Sequence, residues 1–106
     1  MALSSIGVRT SLGDATDAAD ADYEAAVAAA LEAGINVVDT AITYRHQRSE
    51  RAVGRAIEAA DLDREAVFVA TKGGFVPFDR DRLEDAFVRL EKHVAAGDLR
   101  RYGVAT

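Results

Sequence analysis

The chain has 106 residues, 49% of them apolar, and its 18 acidic against 13 basic side chains give a formal net charge of −5. That length supports one domain, residues 1–106, with one modest core, and the acidity argues against a nucleic-acid partner or an anionic membrane surface, since both select a basic face. The absence of cysteine excludes a disulfide framework, a thiol nucleophile and a cysteine-based zinc site.

The opening run MALSSIGV has no basic stretch leading into a long apolar core, and no apolar run approaches the ~20 residues that span a bilayer. A soluble cytoplasmic protein is the expectation. Residues Ile6 to Thr10 read as a weak first strand. The acidic stretch DATDAADAD then serves as a loop, with Asp20 or Asp22 placed to cap a helix over about 21–33. In that helix Tyr23, Val27, Ala30 and Leu31 recur at helical spacing, and Gly34 can close it in the left-handed conformation.

Ile35 to Thr40 is the second strand, rich in β-branched residues, with the acid Asp39 near its end. A loop to Gln47 carries Tyr44, Arg45 and His46. Ser49 suits a helix cap and Glu50 a first turn, where the helix dipole favours negative charge. Val53, Ala56, Ile57 and Ala60 make one face of the second helix. After the polar LDRE turn, Ala66 to Thr71 is apolar on both faces, which predicts a central strand of a parallel sheet, and Lys72 follows it. GGFVPFDRD is a loop. Leu83, Phe87, Leu90 and Val94 form one stripe of a third helix that Gly97 ends, and Arg101 to Ala105 would be a last strand. The order β-α-β-α-β-α-β, with connections long enough for helices, predicts an α/β fold of about four parallel strands with three right-handed crossover helices.

Parallel sheets present reactive groups at the carboxyl edge of their strands. There the sequence places an acid, Asp39, a phenol, Tyr44, and an amine, Lys72. An ammonium beside a phenol favours the phenolate, so the three could form a proton-donating site. The plainer alternative is a capping acid, a surface aromatic and a solvated lysine. His46 reads as a loop residue, and His93, in mid-helix, as surface chemistry. Gly73 to Phe75 lacks the spacing of a phosphate-binding glycine loop, and no ligand pattern suggests a metal site.

Three stretches, GINVVDTAITYRHQRSERAVGRAI at 34–57, VFVATKGGF at 67–75 and AAGDLRRYGVAT at 95–106, resemble the aldo/keto reductase family. IGVRTSLGD is similar to the family's first barrel strand. The resemblance implies a (β/α)8 TIM-type barrel that transfers hydride from a nicotinamide cofactor, usually NADPH, to a small-molecule aldehyde or ketone. It also implies that Tyr44 protonates the carbonyl oxygen, that Lys72 eases loss of the phenol's proton, and that Asp39 holds Lys72 charged and oriented. The residues that bind the cofactor stay unassigned.

A barrel of this type takes about 250 residues, so a partial barrel is expected. GGFVPFD runs almost directly into a segment that resembles a later helix and the fifth strand, so the strand bearing the family's catalytic histidine is expected to be missing; mid-helix His93 does not replace it. Two readings follow: a carbonyl reductase impaired in this short form, or a non-catalytic remnant or association module. Exposed sheet edges and an uncovered sheet face would favour a homo-oligomer.

Overall fold

A computed structural model describes residues 2–73 and 80–103. The chain divides into two units, residues 1–74 and 75–106.

The first unit is built as β1 (Val8–Arg9), α1 (Asp17–Glu32), β2 (Val37–Asp39), α2 (Arg48–Ala59), a 3₁₀ turn (Arg64–Ala66) and β3 (Phe68–Ala70). The three strands are parallel, in the order β1-β2-β3. Thr16, four residues before the expected cap, starts α1: its hydroxyl accepts from the amide N–H of Ala19. Asp17 and Asp20 then sit in the first turn, where unpaired amides favour negative charge. Gly34, at φ +91°, ends the helix, and the Ile35 N–H returns to the carbonyl of Ala30. A side chain would be strained at that φ.

Register explains both the core and the site. Val8, Val38 and Val69 form one row across the sheet, and Arg9, Asp39 and Ala70 the next. Successive strand residues point to opposite faces, so the valine row and the charged row separate. Val38 gathers with Val27 and Leu31 of α1, Val53 and Ala56 of α2, and Val67 before β3, while Val8, Ile57, Ala60 and Val69 pack against that cluster. Burying these aliphatic side chains removes about 25 cal/mol per Å² of apolar surface from water, and this is the main force holding the two helices over the sheet. The opposite face is left with Phe68 at 42% exposure.

Two expectations are corrected here. The third strand, expected at the centre of the sheet, pairs only with β2 among the described residues and lies at an edge; β2 is the central strand. Ser49 does not cap α2. Gln47 occupies that position with no side-chain cap bond, while Ser49 lies inside the helix, buried, and its hydroxyl donates to the carbonyl of Thr10 at 2.6 Å.

The second unit contains α3 (Arg80–Ala96), which Gly97 closes at φ +85°. Phe87 lies 5.5 Å from Tyr102, ring centre to ring centre, and the Tyr102 hydroxyl donates to Glu91 at 2.6 Å. That bond to an acceptor carboxylate raises the Tyr102 pKa, with burial adding to it. Of the expected fourth strand, Arg101 to Gly103 are not in a strand and Val104 and Ala105 lie outside the described residues. Residues 74–79 of the expected loop, which include Phe75 and Pro77, also lie outside them. No described helix is long and apolar enough to cross a membrane.

Candidate active site at the carboxyl edge of the sheet

β2 ends on Asp39, and β3 ends two residues before Lys72. Because the strands are parallel and in register, both side chains emerge at the same edge. The Lys72 ammonium donates to Asp39 Oδ1 at 2.7 Å and to the Thr40 carbonyl at 2.9 Å. Backbone bonds fix this pairing: the Thr40 N–H reaches the Ala70 carbonyl, and the Ile42 N–H reaches the Lys72 carbonyl. The ammonium therefore cannot swing away without breaking two hydrogen bonds.

Tyr44 closes the group from the loop after β2, with Lys72 Nζ 5.0 Å from the centre of its ring. The Lys72 pKa is raised, first by the hydrogen bond to Asp39; burial opposes this, and a hydrogen bond with Tyr44 adds to it. Lys72 is thus held as a cation. The Asp39 and Lys72 side chains are 36% and 51% exposed, so an incoming small molecule can reach them.

A fourth member, Arg9, was missed in the sequence. Its Nη2 donates to the Tyr44 hydroxyl oxygen at 3.0 Å, and its Nε lies 3.8 Å from Asp39 Oδ2. Strand register puts it there, since Arg9 pairs with Asp39. The available signal was the repeated pattern of valine followed by a charged residue, Val8-Arg9 and Val38-Asp39, which marks equivalent strand ends.

The loop bearing Tyr44 has its own anchor. Arg45, His46 and Gln47 all take positive φ, 51°, 55° and 68°, a conformation that costs a non-glycine residue roughly 1–2 kcal/mol. The buried Arg45 side chain holds the loop in this shape. Its guanidinium donates to Asp20 at 2.5 Å and to the Asp14 carbonyl at 2.9 Å, and lies over the Tyr23 ring. Arg48 also donates to Asp20, at 2.7 Å. Burial pushes the Asp20 pKa up, but hydrogen bonds from Arg45 and Arg48 outweigh it and leave the net value lowered. Glu50, placed at the start of α2, accepts from the Thr71 hydroxyl beside Lys72. His46 is exposed on this loop, and His93 meets Asp98 at 3.0 Å in the second unit.

Chemically, the edge offers one hydroxyl donor flanked by two cations and one carboxylate. Such a set can hand a proton to an oxygen on which negative charge develops. Among the described residues no cluster of three or more metal-ligating side chains occurs.

The Aldo/keto reductase family matches residues 5–89. An aldo-keto reductase of Mycobacterium sp. (strain MCS) is 49% identical over 53 residues, which is 50% of this chain and 18% of that protein. One from Mycobacterium avium (strain 104) is 51% identical over 55 residues, 52% of this chain and 18% of the relative. One from Mycolicibacterium smegmatis is 47% identical over 53 residues, with 50% and 18% covered. The chain thus matches less than a fifth of the length of these relatives.

Proposed function

This chain belongs to the aldo/keto reductase family, and from that premise we propose that it forms the opening strands of a (β/α)8 barrel and carries the proton-donating part of a carbonyl reductase site. What supports this most is one observation: Lys72 contacts both Asp39 and the face of Tyr44 at the carboxyl edge of a parallel sheet. In this reading the carbonyl oxygen of an aldehyde or ketone accepts a hydrogen bond from the Tyr44 hydroxyl. As the carbonyl carbon is reduced, the electron pair of its π bond moves onto oxygen, which takes the phenolic proton. Lys72 stabilises the negative charge left on Tyr44, and Asp39 keeps the ammonium oriented. A positioned acid of this sort contributes about 10²–10⁴-fold in rate.

A nicotinamide cofactor, when bound, supplies the hydride in this family. The described residues suit the carbonyl end of that chemistry and not the phosphates. A cavity of about 370 Å³ beside β3 is lined by Glu50 and Glu58 with Arg64 as its one cation, and a second, between α1 and α2, by Glu24, Glu32 and Asp61 with Arg55. With one arginine each among the described residues, neither lining matches the charge of a dinucleotide's phosphate groups. This same observation favours a second reading, a non-catalytic module that keeps the family's residues and associates through its open sheet edge.

Titrating the purified chain with NADPH, then assaying a test aldehyde, separates the two. Saturable binding with turnover that Tyr44→Phe abolishes, at unchanged melting temperature, supports the reductase. No rise in melting temperature with NADPH and no turnover would support the module.

A further inference from the structure

Arg9 donates to the Tyr44 hydroxyl, and neither the family roles nor the proton transfer uses it. Its hydrogen bond to Tyr44 engages one of five guanidinium donors, and its side chain is 67% exposed. The approach to Asp39, at 3.8 Å, is too long for a hydrogen bond. Lys72 is hydrogen-bonded to Asp39 and Glu50 is bonded to Thr71, so Arg9, hydrogen-bonded among the described residues only to the Tyr44 hydroxyl, is the cation at this edge with donors left to offer a ligand. A cation beside a hydroxyl donor, with its planar donors open to solvent, is the pattern that recognises a carboxylate.

Geometry narrows the ligand further. A carbonyl oxygen bound to the Tyr44 hydroxyl lies one hydrogen bond from an oxygen that Arg9 already touches. A carboxylate on the adjacent carbon then comes within reach of the other guanidinium nitrogen. A longer spacer would carry the charge past it. Because the Arg9 N–H occupies one lone pair of the phenolic oxygen, it also leaves the phenolic O–H to point toward the substrate.

Resting on the reductase reading, we propose that Arg9 makes this site selective for 2-oxo acids, carbonyl compounds with a carboxylate on the carbon next to the carbonyl. Phenylglyoxylate and its methyl ester, which differ only in that charge, provide the test. Each is titrated by calorimetry into the purified chain without cofactor, for the wild type, Arg9→Met and Arg9→Lys. The acid should bind at least about tenfold tighter than the ester to the wild type, a gap of ~1.4 kcal/mol. Arg9→Met should remove the gap, and Arg9→Lys should restore part of it, since an ammonium keeps the charge and loses the fork.

Equal binding of acid and ester, no binding of either, or a preference that survives Arg9→Met would overturn the assignment. Activity is read separately. Acid preference without NADPH-dependent turnover leaves the anion site standing and removes the reductase reading. Turnover of neutral aldehydes without acid preference does the reverse.

Discussion

Lys72 Nζ lies 2.7 Å from Asp39 Oδ1, which ties the end of β3 to the end of β2 and aims a fixed cation at Tyr44. Because the contact raises the Lys72 pKa above its ordinary 10.5, the folded chain holds this proton more tightly than the unfolded chain. The resulting stability is fully present below pH 10.5 and is lost as pH rises through the higher folded value. Lys72→Met should therefore be less stable than the wild type at pH 7, by a small amount since both groups are solvated. The deficit should close in strongly alkaline solution, as followed by urea denaturation at a series of pH values. In the reductase reading the same variant loses turnover about 10²-fold or more.

Asp20 has the opposite sign. Burial raises its pKa, yet the hydrogen bonds from Arg45 and Arg48 leave it below its ordinary 3.8. Its stabilising contribution is present above pH 3.8 and disappears as pH falls through the lower folded value. Asp20→Asn should unfold at lower urea than the wild type at neutral pH, and the two curves should converge toward pH 2. A constant gap across that range would show that Asp20 acts by shape alone.

Ser49 gives a test that separates a buried hydrogen bond from a helix cap. Its hydroxyl donates to the Thr10 carbonyl, linking α2 to the residue after Arg9. Ser49→Ala leaves that buried carbonyl without its side-chain donor and should cost about 1–3 kcal/mol. Losing the cap bond in Thr16→Ala should cost about 1 kcal/mol. Amide exchange adds a local readout: Ser49→Ala should speed exchange at Thr10, whose N–H is bonded to the Asp39 carbonyl, while Thr16→Ala should speed it at Ala19.

The strand ends were legible in the sequence because β-branched runs stop on charged residues, Val37-Val38-Asp39 and the apolar run before Lys72. Gly34 marked the end of α1 through the φ that only glycine takes easily. What could not be read was set by distant partners. Ser49 and Asp20 both looked like caps, since short polar side chains suit that role locally. In the fold Ser49 serves Thr10, thirty-nine residues away, and Asp20 serves Arg45 and Arg48. Thr16 caps α1, and Asp20 lies inside its first turn. Arg9 escaped notice since its strand is two residues long, too short for a period-two pattern. The central position expected of β3 rested on its apolarity, whereas among the described residues it pairs with β2 alone.

The loop after Tyr44 offers the last test, because its strain can be relieved without touching a packed side chain. His46 is exposed and holds φ at 55° between two further left-handed residues. Glycine adopts that conformation without a steric penalty, although it costs more backbone entropy on folding. The relief of roughly 1–2 kcal/mol exceeds the roughly 0.5–1 kcal/mol of entropy, so His46→Gly should stabilise the chain by up to about 1 kcal/mol. His46→Ile, β-branched at the same φ, should destabilise it. Urea denaturation of the three proteins reads the order directly, glycine above histidine above isoleucine. If instead glycine is the least stable, the loop carries little strain and its shape depends on Arg45 alone. Arg45→Met should then unfold the chain at markedly lower urea, since it strands Asp20 with only Arg48.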